Sequence, residues 1–228
     1  MQHRRIMAKI QEIAIVGLDA FGYAVATELY RLGHPVLAID QDTAKIHEIQ
    51  GQVTHAIEAD VSQVEIFKEL GLKDIDTVLV SLGSNFQTSL LTTFALKELG
   101  VKNLLVKAEG AKRRKILKLA GADMVIQPEN DIALQTATFM HYSRVIDYME
   151  LDRENDVVAL QPPTSWVNLT VHEINCHTTY KVHILAILNR KVNGQWHPIQ
   201  GEGPVITADS VLLVMGHRED LAVIQKVR

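Results

Sequence analysis

An α/β chain is predicted by this sequence: a Rossmann-like, doubly wound parallel sheet followed by a second, small α+β C-terminal domain. Three observations carry that reading. Short apolar runs alternate with helical segments over roughly residues 8–142. A turn bracketed by Gly17 and Gly22 separates the first apolar run from the first helix. An acid, Asp40, closes the second run, where a nucleotide-binding βαβ unit places one.

Ile13 to Val16 is an uninterrupted apolar run, as expected of a central parallel strand covered on both faces. Phe21, Val25 and Leu29 recur at helical spacing and predict the buried face of the following helix, which Gly33 stops. Val36 to Ile39 forms the next strand and ends at Asp40. A short helix over 42–50 and a strand over 53–57 follow. Ser62 with Glu65 reads as a capping box opening a helix that Gly71 closes. Strands over 77–82, 103–107 and 124–127 then alternate with helices over 85–99, 111–120 and from Pro128 to about Tyr142. Right-handed crossovers make the expected strand order 3-2-1-4-5-6.

The pattern changes after Arg144. Strands are expected over 145–151 and 156–161, the second ended by Pro162-Pro163, and a brief helix over 171–175. The strand VHILAILNRK leads to a hairpin-type turn at Asn193-Gly194, a pairing segment over 196–199, the strand DSVLLVMG and a short helix from Glu219. The expected division is a nucleotide-binding domain over 8–142, its last helix the connector, and a C-terminal domain over 145–228.

With 228 residues, 47% of them hydrophobic, the chain is long enough for two cores. It contains no apolar run of membrane-spanning length. A net charge of −4 without a basic block argues against a nucleic-acid partner. The opening MQHRRIMAKI lacks the apolar region of a secretory signal, and the single cysteine, Cys176, permits no intrachain disulfide. Both fit a cytoplasmic location. Cys176 reads as a core residue. His172 and His177 are not at zinc-helix spacing, and no Cys-x-x-Cys exists.

The chemistry concentrates in the first βαβ unit, where pyrophosphate is expected on the helix N-terminus and a ribose on Asp40. The Asp40 carboxylate also repels a 2′-phosphate, which argues against NADP. Asp60 reads equally as an adenine contact or as a loop acid beside the Ser62 cap. Gly83 and Asn85 fall in the same crevice. Lys107 is either a phosphate contact or an exposed strand-end lysine. Asp19 stands where the fingerprint asks for glycine, adding a Cβ and a negative charge at the phosphate end. Two unit charges about 4 Å apart repel by about 4 kcal/mol at an effective dielectric near 20. A divalent cation, a less charged ligand or an outward-turned carboxylate would relieve this; otherwise the fold remains as a scaffold around an empty site.

The stretch GLDAFGYAVATELYRLGHPVLAID, residues 17–40, resembles the GLGRFGxxVAxxLxxxGxxVxxID opening of the regulator-of-K⁺-conductance (RCK) family. LKELGVKNLLVKAE, LAGADMVIQPEND and VLLVMGHREDL resemble further landmarks of that family, in the same order. The likeness covers nearly the whole chain and is strongest to the cytosolic regulatory subunits of Ktr/Trk-type potassium transporters. It implies a non-enzymatic subunit that forms homodimers and octameric rings and docks on a membrane K⁺-translocating subunit of the KtrB/TrkH type. Such a subunit is cytoplasmic and peripheral at the inner face of the cell membrane. The ligand implied at the N-terminal site is an adenine nucleotide, ATP/ADP or NAD(H). The residues implied for it are Gly17, Leu18, Asp19, Ala20, Phe21, Gly22, Asp40, Gln41, Asp60, Val61, Gly83, Asn85 and Lys107. Ala20 replaces the arginine that meets the terminal phosphate in ATP-responsive members. Glu129 matches an acid that binds a divalent cation, Mg²⁺ or Ca²⁺, at the dimer interface. In the C-terminal domain, Ile174, Asn175, His183 and Ile184 fall where family members bind cyclic di-AMP, with Asn175 in place of the usual arginine. The competing expectations are a NAD-dependent Rossmann oxidoreductase, and a ring subunit with a non-functional N-terminal site.

Overall fold

The computed structural model describes residues 11–141, 144–152, 154–189, 194–224 and 226–227. The chain divides into two compact units after Asn130.

The first unit contains β1 (Ile13–Val16), β2 (Val36–Asp40), β3 (His55–Glu58), β4 (Thr77–Val80), β5 (Leu104–Lys107) and β6 (Met124–Ile126). They pair in parallel in the order β3-β2-β1-β4-β5-β6, as the alternation of runs predicts. The helices between them are α1 (Ala20–Arg31), α2 (Thr43–Ile49), α3 (Glu65–Glu69), α4 (Phe86–Leu99) and α5 (Gly110–Leu119). A sixth, α6 (Pro128–His141), begins at the end of this unit and continues past it. Every residue of β1 is buried. Ala14 and Val16 belong to one apolar cluster, and Ile13 and Ile15 to another. That alternation is the period of two expected when a central strand serves a core on each face.

One local expectation is refined and one is corrected. The most buried positions of α1 are Gly22 and Ala26, while Phe21, Val25 and Leu29 are half-buried beside them. The small residues face inward because the helix lies too close to the preceding loop to admit more: a Cβ on Gly22 would sit 2.3 Å from the Gly17 carbonyl oxygen. Ser62 does not cap α3. That helix starts after Val64, with no side-chain cap. Asp60 organises the preceding loop instead, accepting from the Ser62 N–H at 2.9 Å and the Gln63 amide at 3.4 Å. A short acid side chain reaches the backbone two residues on more readily than a hydroxyl reaches across a loose turn.

The second unit is an antiparallel sheet of β7 (Val145–Glu150), β8 (Asn155–Leu160), β9 (His183–Asn189), β10 (Trp196–Pro198) and β11 (Ser210–His217), in the order β10-β9-β11-β8-β7. Its core gathers Leu160, Trp166, Val182, Ile206, Leu212, Val214 and Ile224, and the rings of Trp166 and Tyr180 lie 5.5 Å apart. The helices are α7 (Val171–Ile174), α8 (Cys176–Tyr180) and α9 (Arg218–Ile224). A capping box between Thr170 and Glu173 opens α7. Asn175, left-handed at φ 50°, breaks the segment and starts α8, a helix the apolar pattern does not announce. The expected turn residue Asn193, the strand end Arg190-Lys191, the helix end at Tyr142 and residues 8–10 lie outside the described residues. Among the described residues, no helix is long and apolar enough to cross a membrane.

One ion cluster ties the end of this sheet. Arg218 donates to the buried Asp156 carboxylate at 3.0 Å, to Glu150 at 2.7 Å and to the Asp152 carbonyl at 3.2 Å. Arg218→Met should therefore strand a carboxylate that is only 3% exposed. A lower midpoint is expected in chemical denaturation, because a buried acceptor that loses its charged donor keeps its desolvation penalty. An unchanged midpoint would contradict it.

Candidate functional site

In an open parallel sheet, ligands bind beyond the strand carboxyl ends where the order reverses, here between β1 and β4. A cleft of about 500 Å³ lies at this edge. It is lined by seven of the expected residues: Asp19, Asp40, Gln41, Asp60, Val61, Gly83 and Asn85. Lys45, Ser62, Ser81, Leu82, Ser84 and Thr88 complete it.

Gly17, Leu18, Ala20, Phe21, Gly22 and Lys107 are not among the lining residues, but most of them shape the loop. Gly17 holds φ +97°, and a Cβ there would come 2.2 Å from the Ser81 carbonyl oxygen, so the loop closes against β4 only because the residue is glycine. Leu18 presents its N–H to Asp40. The Phe21 ring lies 5.9 Å from the Lys107 ammonium. Ala20 is exposed at the first position of α1.

Asp40 is 7% exposed. Its Oδ2 accepts from the Leu18 N–H at 2.6 Å and from Lys45 Nζ at 3.3 Å, and its Oδ1 accepts from the Asp42 N–H at 2.9 Å. A carboxylate offers about four acceptor positions. One therefore remains, and a second opens if the half-exposed Lys45 side chain swings away. The carboxylate is thus fixed by two backbone donors and retains capacity for a hydroxyl pair such as a ribose diol.

The phosphate end is built differently from expectation. Asp19 is the N-cap of α1, and its Oδ1 accepts from the Gly22 N–H at 2.9 Å and the Ser81 hydroxyl at 2.6 Å. Its Oδ2 takes the Lys107 ammonium at 2.8 Å, and Lys107 also meets Glu129 Oε1 at 2.7 Å. Burial alone would raise the Asp19 pKa, but the bonds from Lys107, Ser81 and Gly22 outweigh it and hold the carboxyl below its ordinary value. Burial alone would likewise lower Lys107, yet the two carboxylates keep it above its ordinary value. Lys107 is accordingly no exposed strand-end lysine: its side chain is 9% exposed and its charge is engaged by acids of this chain.

Glu129, proposed by resemblance for a divalent cation, gives one oxygen to that ammonium. Among the described residues, no group of three or more His, Cys, Asp or Glu side chains converges.

In the second unit a cavity of about 220 Å³ is lined by Asn175, His183 and Ile184, with Val171, His172, Cys176, His177, Val182 and Gly201. The rings of His177 and His183 lie 4.7 Å apart. Ile174 packs into the core and is not among the lining residues. Burial pushes the Cys176 thiol up to about 12, so it is protonated and unreactive at neutral pH.

Of the six lining residues that sequence reasoning missed, Ser81 and Lys45 bond directly to the carboxylates of Asp19 and Asp40. A hydroxyl directly after the apolar run TVLV, at a strand's carboxyl end, was the available signal for Ser81. Lys45 carried none beyond its place one helical turn after Asp40.

The TrkA-N domain family matches residues 13–128. The chain is 32% identical to Ktr system potassium uptake protein A of Bacillus subtilis (strain 168) over 213 residues, 93% of this chain and 95% of that protein. It is 33% identical to Ktr system potassium uptake protein C of the same organism over 216 residues, 95% of this chain and 96% of that protein. The crystal structure of the GsuK RCK domain superposes with a TM-score of 0.67 at 15% identity, covering 95% of this chain and 47% of that one, a likeness of fold. The chain therefore belongs to the TrkA-N family and, within it, to the Ktr system potassium uptake proteins.

Proposed function

We propose that the chain is a non-enzymatic regulatory subunit of a K⁺ uptake system, and that a ligand carrying a ribose occupies its N-terminal cleft. The observation that carries this is Asp40: a buried carboxylate, fixed by two backbone donors at the strand-order reversal, with acceptor capacity still open. Similarity to Ktr proteins along nearly the full chain supports the transport role. The ligand class is one built on adenosine, the part that ATP/ADP and NAD(H) share. The subunit works at the cytoplasmic face of the membrane on a K⁺-translocating partner, as homodimers assembled into an octameric ring. Its N-terminal domain includes the α6 connector to about residue 142, and the C-terminal cavity is the place for cyclic di-AMP. The ligand acts by linkage, biasing the assembly through its different affinity for two shapes.

Asp40→Asn tests the reading. It keeps an oxygen acceptor for the backbone but removes the charge and turns one acceptor into a donor. Affinity for adenosine or AMP, measured by calorimetry, should fall about tenfold or more, since charged acceptors bind roughly twice as strongly as neutral ones. Potassium-limited growth of cells expressing the chain with its membrane partner should change in step. Unaltered binding and growth, or steady turnover of NADH with a substrate, would remove the proposal.

A further inference from the structure

Three donors from three separate places in the fold converge on the Asp19 carboxylate: the Gly22 N–H at 2.9 Å, the Ser81 hydroxyl at 2.6 Å and the Lys107 ammonium at 2.8 Å. Ser81 and Lys107 are 62 and 88 residues away in sequence, so only the fold brings them together. A backbone amide at a helix N-terminus, a hydroxyl and an ammonium are the groups that grip a phosphate oxygen. They stand at the position where a doubly wound sheet receives one. Here all three are engaged by a side chain of the protein itself. Asp19, Lys107 and Glu129 together carry a net charge of −1, so this end of the cleft attracts no further anion. Elsewhere the cleft is lined by Asp40, Gln41, Lys45, Asp60 and Ser62, a hydrogen-bonding set suited to a sugar and a base.

We propose that Asp19 is a specificity-determining residue, an internal anion that fills the phosphate subsite. The cleft then selects nucleosides and nucleoside monophosphates over di- and triphosphates. This rests on the nucleotide reading above. A polyphosphate would have to displace a carboxylate already holding three hydrogen bonds before it met those donors. A nucleoside leaves that cluster intact.

Calorimetry with adenosine, AMP, ADP and ATP, on the full chain and on Asp19→Gly and Asp19→Asn, tests this. The unaltered chain should bind adenosine and AMP about tenfold or more tighter than ADP and ATP. Asp19→Gly frees Ser81 and the helix N-terminus and leaves Lys107 with Glu129 alone, and should raise ADP and ATP affinity about tenfold or more while adenosine changes less than about threefold. Asp19→Asn retains a capping oxygen without the charge and should give a smaller gain in the same direction; it decides the matter if the glycine variant does not fold. Adenosine bound as before, with ADP and ATP no tighter in either variant, would overturn the inference and leave the nucleotide site standing. No heat from any probe with any of the three proteins would overturn the nucleotide reading itself, and this inference with it.

Discussion

Gly17→Ala is expected to destabilise the first unit by about 2–6 kcal/mol, a large part of the stability of an ordinary domain. Two effects add. The backbone at φ +97° is one that a residue with a Cβ holds only under strain, of order 1–3 kcal/mol. The new Cβ would also come 2.2 Å from the Ser81 carbonyl oxygen and 2.7 Å from its carbon. Those are backbone atoms at the end of β4, so relief requires moving the strand rather than turning a side chain, an overpacking term of about 1–3 kcal/mol. Moving Ser81 also removes a donor from Asp19, so the loss of stability should accompany a distorted cleft. The measurement is urea denaturation followed by far-UV circular dichroism. Tryptophan fluorescence would mislead, because Trp166 and Trp196 both lie in the second unit. A change below about 1 kcal/mol would show that the loop is looser than described.

Lys107→Met is expected to cost about 2–4 kcal/mol at neutral pH. The methionine fills the volume but leaves Asp19, whose side chain is 18% exposed, without its cation. The effect has a pH signature. In the parent chain the Asp19 pKa is held below its ordinary 3.8, so its contribution is full above that value and fades as pH falls through the folded one. The Lys107 pKa is held above its ordinary 10.5, so its contribution is full below that value and fades as pH rises through the folded one. Stability from the pair is thus flat between those limits. In Lys107→Met the ammonium no longer opposes the burial that pushes Asp19 up. The acid edge of the stability profile should move to higher pH, and the alkaline edge from this pair should vanish. Denaturation midpoints across pH 3–7 (roughly the window set by the ordinary carboxylate values) would decide it. Superimposable profiles would mean that Lys107 does not hold Asp19 in solution.

The sheet of the first unit was legible because its strands are apolar runs separated by helices, and handedness then leaves few ways to wind them. Asp40 was legible for the same reason: it ends a strand beside a glycine turn. What Asp19 does was not. Its substitution for glycine is plain in the sequence, and the expected consequence was repulsion of a phosphate or an outward-turned carboxylate. The carboxylate turns inward, because Ser81 and Lys107 supply partners from distant strands that no local pattern connects to it. On α1 the large residues Phe21, Val25 and Leu29 pack on the core as read, but the fully buried positions beside them were not legible. Apolar spacing marks the large residues, whereas close approach to the loop is made by Gly22 and Ala26. The α7–α8 break was hidden as well, since it depends on a left-handed backbone at Asn175 rather than on any apolar period. For Asp19 the missing information was a contact between segments far apart in the chain; for α1 and Asn175 it was a close approach and a backbone conformation that apolar spacing does not report.

The sharing of one ammonium by two carboxylates makes positions 19, 107 and 129 a single energetic unit. Lys107 reaches Asp19 and Glu129 at 2.8 and 2.7 Å, so whatever one acid gives up the other can claim. Substitutions at the two acids should be non-additive: neutralising Asp19 makes Glu129 the sole counter-ion, and neutralising both leaves a nearly buried cation alone. A change at residue 19 thereby reaches the first turn of α6 by way of charge balance. The value of any residue at one of these positions is set by what occupies the other two.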